Sequence, residues 1–185
     1  ASLSAYDSLF ISGVIVDAGL SVRTSGDVQM QYSYVGEDAL VGTFRDNTLI
    51  LNTNIFNGDL RLPITSGNDV LEFTNSVVRG NVCIFFYQLS VYSTGYSGGS
   101  SVFSFTNSRL GALDVRTNGN ADEVRIAGCV LDQLFAYHGA GSARYELTGS
   151  IFKREARLDG GDGFDLFRSS GNSFNGLEVL NIDAF

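Results

Sequence analysis

The chain has 185 residues, about the length of one domain, and 44% of them are hydrophobic, so it can bury a core. It carries 12 basic against 20 acidic residues, a net charge of −8 without a basic face, which argues against a nucleic-acid partner. No run of 18 apolar residues occurs, so no membrane-spanning helix is expected, and no basic stretch leading into an apolar one marks a signal peptide.

The remaining composition points to strands. There are 22 Gly, one Pro and no Trp, while β-branched and aromatic residues are frequent. Read from the N-terminus, one short phrase returns again and again: a small residue, Asn or Gly, Ser or Asn, one variable residue, then a large apolar one. It is written SGVIV at Ser12, QYSYV at Gln31, NTNIF at Asn52 and TNSVV at Thr74. It returns as TNSRL at Thr106, AGCVL at Ala127, TGSIF at Thr148 and SGNSF at Ser170. The closing residues are Val16, Val35, Phe56, Val78, Leu110, Leu131, Phe152 and Phe174, spaced 19, 21, 22, 32, 21, 21 and 22 residues apart. One spacing is too long, which marks a loop insertion near residues 87–101.

Each phrase sits between two alternating pairs. Before it stand pairs such as Val28 and Met30, Leu71 and Phe73, or Phe103 and Phe105. After it stand Leu20 and Val22, Leu60 and Leu62, Leu113 and Val115, Phe135 and Tyr137, or Ala156 and Leu158. Period-2 alternation reads as strand, and these pairs are expected to face inward. Polar, glycine-rich corners follow, such as TSGD, HGAGS and DGGDG. A unit of this length cannot bury its own apolar side, so units must stack. The expected fold is all-β: a single domain spanning 1–185, built as a parallel β-helix of about eight ~21-residue coils, each about 4.8 Å above the last. Stacked Asn75, Asn107, Ser76, Ser108, Ser150 and Asn172 are expected to share hydrogen bonds along the axis.

These coils resemble right-handed parallel β-helices, whose coils exceed 20 residues and tolerate loops, and the handedness is what that resemblance implies. The F-x-G-x-L wording from Phe56 to Leu60 and V-x-G-x-V from Val78 to Val82 also resembles bactofilins, polymerising cytoskeletal β-helices.

Function is argued from the breaks in the pattern. A solenoid ends in unpaired backbone edges that proteins normally cover, yet only eight residues precede the first unit and the last runs out as LEVLNIDAF. The expectation is head-to-tail self-assembly through Leu9, Ile11, Val14 and Val16 at one end. Leu177, Val179, Leu180, Ile182 and Phe185 serve at the other. An open head-to-tail contact gives a filament or a surface layer. The alternative is a glycan- or protein-binding module using Tyr87, Tyr92 and Tyr96 of the insertion, where tyrosines stand among Ser and Gly. GGDGFDLFR, from Gly160 to Arg168, fits one copy of a calcium nonapeptide, with Asp162 and Asp165 as oxygen ligands. Such sites need neighbouring copies, so no cofactor beyond this candidate calcium is expected.

Catalysis is not expected. His138 is the only histidine, and neither a triad nor a zinc site is built from one. Asp114 and Asp132 belong to neighbouring units but different columns. Cys83 and Cys129 lie two coils apart, near 10 Å by the strand spacing, too far for a disulfide. The single Lys, the Ser/Gly/Asn richness and the opening ASLSA without Met point to an extracellular or cell-surface setting.

Overall fold

The computed structural model describes residues 1–43, 48–64, 70–86, 100–117 and 121–185. Among them no helix occurs, and the strands stack in parallel as a β-solenoid of the right-handed type. Eight phrases are thus joined by about seven turns, against the eight coils counted from the sequence. Among the described residues no helix is long and apolar enough to cross a membrane.

Each turn contributes three faces. The first is an eight-stranded parallel sheet running from Leu9–Ser12 to Leu166–Ser170. The second is narrow, made of two-residue strands such as Ile15–Val16, Ile55–Phe56 and Ile151–Phe152. The third runs from Ser2–Ala5 to Leu177–Leu180. In two coils the second and third faces merge into single long strands, Arg109–Arg116 and Val130–Tyr137. Register across the long spacing is unbroken: Val70 pairs with Val102 and Thr74 with Thr106, so the insertion leaves the stack intact.

The inward columns are the expected alternating residues. Leu51, Phe73, Phe105, Ile126 and Leu147 are fully buried on the first face, and Val22, Val41, Leu62 and Leu158 on the third. The closing residues of the phrase, from Val35 to Phe152, fill the second. Like residues therefore lie on like residues, as with Phe73 and Phe105, whose ring centroids are 5.8 Å apart.

One inward pair departs from expectation. Phe135 and Tyr137 point outward, and Leu134 and Ala136 fill the core instead. Leu134 is locked between Leu113 and Ala156, so the registers of both neighbouring strands fix which residues turn inward.

The repeated phrase is a corner. Its second residue takes the left-handed backbone conformation in every copy: Gly13, Tyr32, Thr53, Asn75, Asn107, Gly128, Gly149 and Gly171 have φ between 47° and 65°. Gly adopts this freely and Asn tolerates it, which is why the phrase favours these two. Asn75 and Asn107 are accordingly exposed rather than part of the ladder, correcting the expectation for both.

The following residue turns inward and carries the ladder. The backbone N–H of each rung donates to the side chain of the rung above: Val14 to Ser33 Oγ (3.3 Å), Ser33 to Asn54 Oδ1 (3.1 Å) and Asn54 to Ser76 Oγ (2.9 Å). It continues from Ser76 to Ser108 Oγ (3.2 Å), Ser108 to Cys129 Sγ (3.4 Å), Cys129 to Ser150 Oγ (3.0 Å) and Ser150 to Asn172 Oδ1 (2.8 Å). Each hydroxyl then donates to the carbonyl two residues earlier, as Ser76 does to Thr74 at 2.9 Å. Buried polar groups need partners, and this chain of bonds supplies them at the corner from Val14 to Asn172. Cys129 stands in for Ser in one rung. It is a buried free thiol, and burial pushes its pKa up.

Candidate functional site

The outward turn of Phe135 and Tyr137 builds a groove on the third face. Register places Asp114, Phe135 and Arg157 in one row across three successive coils, and Arg116, Tyr137 and Asp159 in the next. Together these six side chains line a concavity of about 590 Å³. Tyr137 is 52% exposed and Phe135 half-buried. The polar members are held in place. Asp114 grips Arg116 with both carboxylate oxygens, at 3.0 Å each. Arg157 Nε lies 3.4 Å from Glu178. Asp159 Oδ1 accepts from the Gly161 N–H at 3.2 Å and from Asn181 Nδ2 at 2.8 Å. An aromatic floor with a few oriented polar groups is the composition of a small-ligand site. Sequence reading missed it because aromatic alternation looks like core. The available signal was the competing pair Leu134 and Ala136, one step out of phase.

A second cluster is wholly internal. Thr117 Oγ1 hydrogen-bonds His138 Nδ1, and Asp122 Oδ2 lies 3.3 Å from the same nitrogen. All three are buried. His138 sits in the corner that follows Val130–Tyr137 and is buried there rather than solvated. Threonine and aspartate meet one ring nitrogen, so no proton relay runs across the imidazole as a triad would require. Asp122 Oδ1 accepts the Ser101 N–H at 2.9 Å, and burial raises its pKa. Tyr145 donates to the Asp159 carbonyl at 3.0 Å. Burial first, then the charges of Asp165, Asp159 and Asp122, push its phenol well above the ordinary tyrosine value.

That shift has a measurable consequence. An unfolded tyrosine ionises at roughly pH 10, whereas the buried one keeps its proton. The stability tied to Tyr145 is thus complete below that pH and falls as pH rises beyond it. Melting temperature should drop more steeply between about pH 10 and 12 in the parent chain than in Tyr145→Phe. Parallel slopes would refute this.

The calcium candidates do not form a common ligand set. Asp162 is exposed and Asp165 fully buried, its Oδ1 accepting the Ala143 N–H at 2.5 Å. Among the described residues no group of three His, Cys, Asp or Glu could hold a metal. Corner packing accounts for the glycines of the motif. Gly163 has φ 137°, and a Cβ there would lie 1.6 Å from the Gly141 carbonyl oxygen in the coil below.

The expected assembly residues lie on the first and last coils. Ile11 is buried; Leu9, Val14, Val16, Val179 and Ile182 are partly buried against the core, as Leu180 also is in part. Leu177 and Phe185 are exposed. Tyr87, Tyr92 and Tyr96 lie outside the described residues. Cys83 pairs with Arg61 and Asp114 on the third face, in a different column from Cys129.

Comparison with protein-family models, with curated proteins and with solved structures finds no match, so the fold and the geometry above carry the functional reading.

Proposed function

We propose that this chain is a non-enzymatic structural subunit that stacks end-on into a filament or surface layer outside the cell. The observation that carries the reading is the state of the terminal coils. Ser2–Ala5, Leu9–Ser12 and Ile15–Val16 each pair on one side only, as does Leu177–Leu180 at the other end. The apolar columns nevertheless continue into these strands. Val179 extends the column of Val22 and Leu158, yet it is only partly buried, as are Val16 and Phe174 in the column of Phe56. An unpaired edge over an unfinished core is a template for another parallel coil, and a second copy supplies one.

The two ends also complement each other. Ala184 pairs with Leu166 on the first face, while Ser2–Ala5 opens on the third. In a stacked pair, the tail of one copy and the head of the next would fill two faces of one shared rung.

Sedimentation velocity across a concentration series, read with negative-stain electron microscopy, tests the proposal. The expected result is concentration-dependent growth into unbranched fibres one solenoid wide. Leu177→Lys and Ile182→Lys should each abolish it. A monomer at every concentration would overturn the reading.

A further inference from the structure

We propose that the groove on the third face is a binding site for a neutral, linear saccharide lying along the solenoid axis. The site is distinct from the terminal coils and from the tyrosines of the insertion.

Four observations converge on this ligand class. The floor is aromatic and faces solvent, with Tyr137 half-exposed at its centre. An exposed ring offers an apolar surface for the C–H face of a sugar. The rim is polar and oriented before any ligand arrives: the Asp114 carboxylate fixes Arg116, and Gly161 and Asn181 fix Asp159. A carboxylate has about four acceptor sites and a guanidinium five donors. Asp159 uses one oxygen in its contacts and Arg157 meets Glu178 through Nε, so acceptors and donors remain for paired hydroxyls.

Charge selects the ligand further. Two arginines and two aspartates line the concavity, so its charges cancel. A phosphate backbone would need a positive surface, and an acidic sugar would meet as many carboxylates as guanidinium groups. A peptide strand needs an open edge for its backbone. Here the strand Val130–Tyr137 is paired on both sides, with Arg109–Arg116 and with Ala156–Asp159. What remains is a ligand that is uncharged, rich in hydroxyls and apolar on its ring faces. Three coils span about 10 Å by the strand spacing, room for two ring units placed in succession along the axis.

The test is an array of neutral and acidic di- to hexasaccharides probed with the full chain, Tyr137→Ala, Tyr137→Phe and Tyr32→Ala. Tyr32 is exposed on a different corner and serves as the surface control. The parent chain should retain at least one neutral linear oligosaccharide. Tyr137→Ala should weaken that retention by about tenfold or more, the effect of losing one ring contact. Tyr137→Phe and Tyr32→Ala should stay close to the parent. An exposed side chain leaves the core untouched, so Tyr137→Ala should melt with the parent chain, which separates lost binding from lost fold. Retention of acidic sugars alone, retention of none, or a Tyr137→Ala variant that binds like the parent would each overturn the assignment.

Discussion

Phe105→Ala is expected to destabilise the chain by about 3–5 kcal/mol, the range for removing a fully buried aromatic side chain. Phe105 has no exposed surface and sits in register between Phe73 and Ile126. Its ring is tilted 42° against Phe73, so deletion opens a cavity bounded on both sides by other coils. Those coils cannot close over it, because their spacing is held by the backbone bonds of the sheet. For a chain of this length such a loss lowers the melting temperature by on the order of 10 °C. Phe164→Ala is the matched control, since that ring is exposed, and it should stay within about 0.5 kcal/mol of the parent. Thermal melting followed by circular dichroism measures both. Equal effects from the two substitutions would mean that the packed column is not the source of stability.

Asn54→Leu should cost about 3 kcal/mol, although it keeps the branching of the side chain and adds apolar surface, because two buried backbone groups lose partners at about 1–3 kcal/mol each. Asn54 is 1% exposed; its Oδ1 accepts the Ser33 N–H at 3.1 Å and its Nδ2 donates to the Met30 carbonyl at 2.9 Å. Leucine can do neither. Asn54→Ser restores the kind of rung found at Ser76 and Ser108, so it should cost about 1 kcal/mol, one hydrogen bond's net worth. Urea unfolding gives the stabilities, and amide hydrogen exchange locates the damage. The Ser33 amide should lose protection in Asn54→Leu and keep most of it in Asn54→Ser. A leucine variant as stable as the serine variant would show that the ladder is not a stabilising element.

The two substitutions probe different parts of the same repeat. Phe105 reports on the columns, where burial is non-directional and any apolar residue of similar volume serves. Asn54 reports on the corner, where the chain turns inward and its backbone groups would otherwise be orphaned. A phrase that writes Asn or Gly and then Ser meets both demands of the corner. The first residue takes the left-handed turn, and the second closes the hydrogen bonds left between coils.

Much of this was legible in the residues alone. The spacing of Val16 to Phe174 sets the coil, because a repeat of this length can bury its apolar side only by stacking. The pairs from Val28 and Met30 to Tyr145 and Leu147 name the core of the first face. Even Cys129 was readable as a substitute serine from its place in the phrase. Local pattern could not decide phase where two apolar pairs overlap. LFAY, from Leu134 to Tyr137, alternates equally well in either register, and only the strands on both sides, with Leu113 below and Ala156 above, turn Phe135 and Tyr137 outward. Nor could sequence divide the corner between Asn75, which bends the chain and faces solvent, and Ser76, which enters the ladder. Periodicity is a property of one chain segment, and the sequence determined it. Which side of a strand faces inward, and which side chains from separate coils meet in one groove, depends on pairing between segments about twenty residues apart, and the tertiary structure alone decided that.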